Sequence, residues 1–117
     1  IMFDFLKNLF TGGSSSYQNL DSNQFAEQMT QADTVILDVR TPGEFASGRI
    51  PKAINIDVTG GGFNTQIAKL DPQKNYLVYC RSGMRSAKAC GIMAENGFTQ
   101  LFNLSGGRSG WTGNVMR

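Results

Sequence analysis

Short apolar runs separated by polar segments organise most of the chain. Four runs are rich in β-branched or aromatic residues, which is typical of strands buried in a sheet, and they span residues 34–39, 53–58, 75–80 and 100–104. Segments with helical spacing or helix-capping signals alternate with these runs. The alternation predicts a three-layer α/β domain, in which a mostly parallel central sheet carries helices on both faces.

The first predicted helix begins at Asp21 or Ser22, both of which are good N-capping residues. Its spacing turns Phe25, Ala26 and Met29 towards the core. We therefore expect this helix to cover one face of the sheet.

Three further helices are predicted from capping signals and spacing. The segment "TPGE" (41–44) matches a capping box with proline at the first helical position, and this helix ends near Gly48. A brief helix is predicted over 64–70. A longer one is predicted over 85–96, and Gly97 closes it.

The N-terminal segment differs from the rest of the chain. The stretch "IMFDFLKNLF" is apolar but broken by polar residues, and it lacks the unbroken apolar run and cleavage site of a secretory signal. The pattern favours an arm that packs on the domain or frays over a membrane or partner anchor. We expect residues 1–16 to form this arm and a flexible connector, and residues 17–117 to form the domain.

Composition and charge exclude several classes of function. The 117 residues suffice for one core, and the net charge of +2 without a basic stripe argues against nucleic-acid binding. Membrane contact is not expected, because no apolar run is long enough to cross a bilayer. Two cysteines and no histidine exclude a tetrahedral zinc site and every mechanism that needs an imidazole. We expect a cytoplasmic protein with reduced cysteines.

The segment "CRSGMRS" (80–86) carries the strongest chemical signal. Cys80 ends a buried strand, and the glycine-bearing turn after it leads into a helix. Backbone N–H groups in such a turn form an anion nest at the helix start, and two arginines add positive charge. This environment lowers the pKa of a cysteine below its ordinary value of about 8.5. The alternative, an inert core cysteine, is the less favoured interpretation.

Three ordered motifs give the chain a close resemblance to the single-domain rhodaneses, which are thiosulfate or polysulfide sulfurtransferases. They are "LDVRTPGEFASGRIPKAINI" (37–56), "CRSGMRS" (80–86) and "GGRSGW" (106–111). The resemblance implies that Cys80 takes sulfur from a small anionic donor as a persulfide. The persulfide then passes its sulfur to cyanide or a thiol, and a thioredoxin-like protein is one candidate acceptor. No metal or other cofactor is implied.

The resemblance also assigns roles to the loop. The amides from Arg81 to Arg85 cradle the anionic persulfide, so the substrate-binding candidates are the five residues Arg81, Ser82, Gly83, Met84 and Arg85. The arginines attract thiosulfate.

Three residues are expected to support the site. They are Asp38, Arg40 and Ser86. For Asp38 and Arg40 a structural role is favoured, in which Asp38 ties loops and Arg40 pairs with Glu44 across a helical turn.

Two departures from the family pattern concern the first motif. Arg49 replaces the usual histidine, and Lys52 replaces a common glycine, which puts the local turn and partner recognition in doubt. Elsewhere, Cys90 is expected to be buried and inert, and Trp111 to pack in the core or form one wall of the site.

Two other functions remain open. Cysteine phosphatases and arsenate reductases also use a cysteine-to-arginine loop, but theirs hold five intervening residues, whereas four separate Cys80 from Arg85. A non-catalytic rhodanese-like binding module generally lacks the cysteine. The sequence leaves the physiological donor, the acceptor and the oligomeric state undetermined.

Overall fold

The computed structural model describes residues 16–117, so nearly all of the predicted arm and connector lies outside the described residues. Within this range the strands are β1 (Gln18–Leu20), β2 (Thr34–Asp38), β3 (Ile54–Asn55), β4 (Asn75–Tyr79) and β5 (Leu101–Leu104). The helices are α1 (Ser22–Gln28), α2 (Pro42–Ser47), α3 (Phe63–Ile67) and α4 (Met84–Glu95), followed by a 3-10 turn at Arg108–Gly110.

The five strands form one parallel sheet in the order β1-β5-β4-β2-β3. The longest pairing joins β2 to β4 at the centre, from Thr34 opposite Asn75 to Asp38 opposite Tyr79. The prediction of a mostly parallel sheet is confirmed, and every strand pair within residues 16–117 is parallel. The carboxyl ends of β2, β4 and β5 therefore meet at one edge.

The sheet has a hydrophobic core on each face, as the three-layer prediction requires. Alternate side chains of β4 enter different cores, so Leu77 and Tyr79 pack with Phe25 of α1, whereas Tyr76 and Val78 pack against α3 and α4. Because both faces of the central strands are covered, their sequences are apolar without alternation.

Helix starts follow the capping signals closely. Asp21 caps α1 and Thr41 caps α2, each with a reciprocal capping box. The long helix α4 begins at Met84, one residue earlier than predicted, because Gly83 takes the N-cap position. Gly97 follows its end with φ +91°, in the left-handed conformation expected of a closing glycine.

Three details differ from the sequence-based expectation. The strand predicted over 53–58 is regular only at Ile54–Asn55, although backbone hydrogen bonds from Ile56 to Asp38 and from Val58 to Val39 continue beside β2. Ala26 is exposed, so its predicted place in the core is wrong, while Phe25 is fully buried. Strand β1 was not predicted. In residues 16–117 no helix combines the length and the apolar character that crossing a membrane demands.

Candidate active site

Cys80 lies directly after β4, at the carboxyl edge where parallel α/β sheets place their ligand sites. Its side chain belongs to the core between the sheet and α4, and only 1% of the residue is exposed. The chain turns through 81–83 and enters α4 at Met84. The sulfur therefore lies at the base of a short loop that leads into a helix.

Gly83 makes this turn sterically feasible. Its φ is +101°, and a Cβ atom added there would lie 2.2 Å from the carbonyl oxygen of Ser105. This conformation directs the Gly83 N–H to the sulfur of Cys80, with an N···Sγ distance of 3.1 Å. The backbone freedom predicted for Gly83 is thus needed twice, because φ is positive and because no space remains for a Cβ atom.

The third sequence motif clamps the loop from the other side. Arg108 donates its backbone N–H to the Cys80 carbonyl at 2.8 Å, and Ser109 donates to the Arg81 carbonyl at 3.1 Å. A Cβ atom on Gly107 would lie 2.3 Å from that Arg81 oxygen, so the close approach requires glycine. The motif therefore fixes the loop backbone on which Cys80 depends.

The balance of burial and hydrogen bonding sets the pKa of the Cys80 thiol. Burial is the largest influence and raises the pKa, because a buried thiolate loses its hydration. Hydrogen bonds from the Ser86 hydroxyl and from the backbone N–H groups of Ser86, Gly83 and Ser82 act in the opposite direction. Together they outweigh burial and hold the pKa below its ordinary value. The N-terminus of α4 also favours a negative charge here.

A polar network lies behind the sulfur. The Ser86 hydroxyl is 3.4 Å from the Cys80 sulfur and also donates to the side-chain oxygen of Asn103 on β5. The amide nitrogen of Asn103 donates to the Gly83 carbonyl at 3.2 Å and to the Asn19 side chain at 2.9 Å. Sequence reasoning missed Asn103, because an isolated asparagine in a strand gives no signal of the contacts it makes.

Arg85 is paired with Glu44 of α2. Its guanidinium donates to both carboxylate oxygens, at 2.8 and 3.1 Å. The bond from Arg85 and the backbone bond from Thr41 lower the pKa of Glu44 to about 2 against the opposing effect of burial. The positive charge expected to attract thiosulfate is therefore largely neutralised at this arginine.

Asp38 and Arg40 form a buried pair. Arg40 donates to both carboxylate oxygens of Asp38, at 2.7–3.1 Å, and to the Gly48 carbonyl at 2.7 Å. The predicted pair between Arg40 and Glu44 is wrong, because Asp38 is buried beside Arg40 while Glu44 faces Arg85. The pair joins the end of β2 to the end of α2, and within residues 16–117 neither side chain hydrogen-bonds to the Cys80 sulfur.

The same architecture is found in proteins of known family. The rhodanese-like domain family matches residues 21–114, most of the 117-residue chain. The chain belongs to the rhodanese-like domain family. A thiosulfate sulfurtransferase GlpE of Shewanella oneidensis is 34% identical over 83% of this chain and 94% of that protein. A sulfurtransferase of Allochromatium vinosum is 31% identical over 79% of this chain and 85% of its own length.

Longer relatives and solved structures share the domain. A tRNA uridine(34) hydroxylase of Cytophaga hutchinsonii is 33% identical over 77% of this chain, which spans only 30% of that protein. The crystal structure of a rhodanese-related protein from Thermoplasma volcanium superposes with a TM-score of 0.75. The two chains are 27% identical, and the match covers 86% of this chain and 98% of that one. This rhodanese-like domain therefore has sulfurtransferase relatives of its own size.

The rim of the site in this rhodanese-like domain is formed by the remaining loop residues. Arg81 and Ser82 are exposed, and the Met84 side chain opens to solvent with 79% of the residue exposed. Because Arg85 is held by Glu44, Arg81 is the loop cation that faces solvent without a salt bridge in the described chain.

The two departures from the rhodanese pattern have local structural consequences. Lys52 adopts φ +71°, the left-handed conformation that the usual glycine would take easily. The turn is therefore kept, with some backbone strain. Arg49 places its guanidinium 4.8 Å from the centre of the Phe45 ring and so packs on α2.

Cys90 and Trp111 belong to the hydrophobic cores, Cys90 to the same core as Cys80 and Trp111 to the one on the opposite face. Cys90 is a free, fully buried thiol on α4, and burial, with a smaller effect of the Cys80 charge, raises its pKa to about 12. The expectation of a buried residue is confirmed. Trp111 packs edge-on against Phe25 in the core on the opposite face of the sheet, so it is not a wall beside Cys80. Among residues 16–117 no cluster of three metal-ligating side chains occurs.

Proposed function

We propose that this rhodanese-like domain is a sulfurtransferase that carries sulfane sulfur as a persulfide on Cys80. The observation that carries the proposal is the set of donor groups around one buried sulfur: the Gly83 N–H points to it at 3.1 Å, and the Ser86 hydroxyl lies 3.4 Å away. They favour the thiolate in a chain that has no histidine. The sulfurtransferase relatives of similar length support the same reaction class.

The reaction proceeds in two displacements. The Cys80 thiolate attacks the outer sulfur of thiosulfate or a polysulfide, and the donor's S–S bond breaks. Sulfite, or the shortened polysulfide, leaves with that electron pair. A cyanide ion or an acceptor thiolate then attacks the outer persulfide sulfur and returns Cys80 to the thiolate. Neither step needs a general base once Cys80 is ionised, and no cofactor takes part.

The acceptor in the cell is proposed to be a thiol, on a small molecule or a thioredoxin-like protein. The exposed Met84 at the rim offers a flexible apolar contact for such a partner. The reaction requires a reduced Cys80, so we place the protein in a reducing compartment such as the cytoplasm.

A phosphatase or arsenate reductase is disfavoured by the size of the loop. Four residues separate Cys80 from Arg85. The Arg85 guanidinium is bound to Glu44, so it is not free to bind an oxyanion at the Cys80 sulfur. A tetrahedral oxyanion would therefore lack the bidentate partner that such chemistry uses. A non-catalytic binding module would have no need of the donors that face Cys80.

Steady-state assays of sulfur transfer and of phosphate release distinguish the sulfurtransferase, the phosphatase and the binding module. Wild-type protein, Cys80→Ser and Cys90→Ala are assayed for thiocyanate formed from thiosulfate and cyanide, and for hydrolysis of an aryl phosphate. We expect thiocyanate from wild type and Cys90→Ala, none above background from Cys80→Ser, and no phosphate release. Phosphate release that depends on Cys80 would replace the proposal with a phosphatase. Inactivity of the wild type in both assays would favour the binding module.

A further inference from the structure

The orientation of the Asn103 side chain is fixed by its neighbours. Its nitrogen faces the carbonyl oxygen of Gly83, which can only accept a hydrogen bond, so this end of the amide must be the donor. The amide oxygen therefore faces the Ser86 hydroxyl, and because that oxygen cannot donate, Ser86 must. Asn103 is 2% exposed and Ser86 is fully buried, so no solvent competes at this contact.

The Ser86 hydroxyl has one proton and two acceptors within reach. Donation to Asn103 leaves its lone pairs facing the Cys80 sulfur 3.4 Å away, an arrangement suited to a protonated thiol. A thiolate instead needs that proton directed at itself, since lone pairs facing a negative charge are repulsive. Ionisation of Cys80 therefore requires the hydroxyl to rotate away from Asn103.

We propose that Asn103 is a positioning residue that competes with Cys80 for the Ser86 hydroxyl proton, so that this hydroxyl changes acceptor as Cys80 changes state. It donates to Asn103 while Cys80 is a thiol or a persulfide, and to the Cys80 sulfur while that sulfur is a thiolate. The inference rests on the proposed persulfide cycle for its functional meaning, but its titration test needs no turnover.

The competition links ionisation to sulfur loading. In the persulfide the inner sulfur carries two covalent bonds and no charge, because the negative charge resides on the outer sulfur. The inner sulfur is then a weak hydrogen-bond acceptor, so the Ser86 hydroxyl again donates to Asn103. Asn103 thus disfavours the free thiolate against both the thiol and the persulfide, and it does so by the same factor.

The test measures the pH dependence of Cys80 alkylation by iodoacetamide in a Cys90→Ala background, which leaves one cysteine. Asn103→Leu removes the competing acceptor and keeps the same branched arrangement of heavy atoms, and we expect the pKa of Cys80 to fall. Ser86→Ala removes the donor, and we expect the pKa to rise, with about a tenfold loss of alkylation rate below the pKa, from the loss of one hydrogen bond to a charge. The double variant should match Ser86→Ala, because without the hydroxyl Asn103 has nothing to compete for.

If Asn103 had only a structural role, its replacement would change the pKa of Cys80 in the opposite direction. If it only anchors the loop through the Gly83 carbonyl, its loss displaces the Gly83 N–H and the pKa of Cys80 rises in Asn103→Leu. That result, or additive effects in the double variant, would overturn the proposal. Asn19→Ala is the matched control, since it removes one partner of the Asn103 nitrogen and keeps the bond to Ser86. Its titration should follow the parent. If Asn103→Leu does not fold, Asn103→Ala is titrated against the same criteria.

Sulfur loading gives a second readout. At a pH above the Cys80 pKa of both proteins, where the free protein is a thiolate, the equilibrium constant for sulfur loading from thiosulfate against sulfite should be lower in Asn103→Leu than in the parent. The expected factor is the one by which its thiol ionisation constant increases. Unequal factors would contradict a shared cause. If the parent itself takes up no sulfur, the proposed function fails while the titration result still decides the role of Asn103.

Discussion

At the scale of single residues, the chemistry depends on how a buried sulfur becomes ionisable. Burial alone raises the pKa of a thiol, as at Cys90, where the pKa is about 12. Cys80 is also hidden from solvent but lies less deep in the protein than Cys90, and donor groups of Gly83 and Ser86 surround its sulfur, so its pKa is lower than the ordinary value. The pKa values of two cysteines ten residues apart thus differ because Cys90 lies deeper in the core and because only Cys80 faces hydrogen-bond donors.

The sequence indicated Cys80 but not the residues that assist it. An apolar run that ends in cysteine, a glycine turn and a helix start are local signals, so they can be read along the chain. The Asn103 contact and the Glu44–Arg85 pair join segments 17 and 41 residues apart. Their partners depend on how the sheet brings those segments together, and no local pattern encodes that.

The Glu44–Arg85 pair predicts a pH dependence of stability. The folded pKa of Glu44 is about 2, below its ordinary value of 4.5, so the pair stabilises the fold above that ordinary value and loses its effect as pH falls towards 2. Glu44→Gln should therefore lower the free energy of unfolding by about 1 kcal/mol at pH 7, the upper range for a partly exposed pair. The deficit should shrink between pH 4.5 and 2, as measured by urea unfolding. Glu27→Gln, an exposed substitution on α1, is the control, and its effect on stability should not shrink in this way. If the loss of stability in Glu44→Gln were constant with pH, the stabilising pair between Glu44 and Arg85 would be refuted.

At the scale of elements, prediction succeeded where both faces of an element are buried. Strands β2 and β4 are central and contain the continuous apolar runs 35–37 and 76–79, so their sequences predict them clearly. The edge strands were harder: β1 has three residues with only Leu20 buried, and β3 pairs over two residues. Such short edges are defined by the neighbour they pair with rather than by their own periodicity.

Two glycines at α4 should respond oppositely to the same substitution. Gly83→Ala places a Cβ atom 2.2 Å from the Ser105 carbonyl at φ +101°, so we expect a loss of about 1–3 kcal/mol of stability and a displaced loop. Gly91 lies within the helix with open space around its Cα, and Gly91→Ala should stabilise by about 0.5–1 kcal/mol.

Thermal and chemical unfolding of both variants measure these changes, and thiocyanate formation reports on the loop. Gly83→Ala should lose transfer activity even at temperatures where it remains folded, whereas Gly91→Ala should keep it. Full activity in Gly83→Ala would show that the loop does not need its left-handed glycine.

At the scale of the whole molecule, three motifs far apart in sequence form one site. The first supplies the buried Asp38–Arg40 pair and Glu44, and the second supplies Cys80. The third holds the loop through the backbone N–H groups of Arg108 and Ser109. Each motif follows a different strand, and the parallel sheet brings their carboxyl ends to one edge. The order of the three motifs is evident from the sequence, whereas the pairing of Arg40 with Asp38 is evident only from the folded structure.

The buried ion pair predicts a large effect on global stability. Arg40→Ala leaves the Asp38 carboxylate buried without its partner and the Gly48 carbonyl without its donor, which should lower the free energy of unfolding by about 3–5 kcal/mol. Arg49→Ala is the matched control, because it removes an arginine that packs on the Phe45 ring near the surface, and it should lower stability by about 0.5–1 kcal/mol. Equal losses in urea unfolding would contradict a structural role for the buried pair.

The most direct measurement is the intact mass of the protein after exposure to thiosulfate. Reduced wild-type protein is incubated with thiosulfate, separated from the donor and weighed by mass spectrometry before and after addition of a thiol. We predict a gain of one sulfur atom that the thiol removes, the same gain in Cys90→Ala and none in Cys80→Ser. A wild-type mass that does not change, or a gain that persists in Cys80→Ser, would contradict persulfide transfer through Cys80.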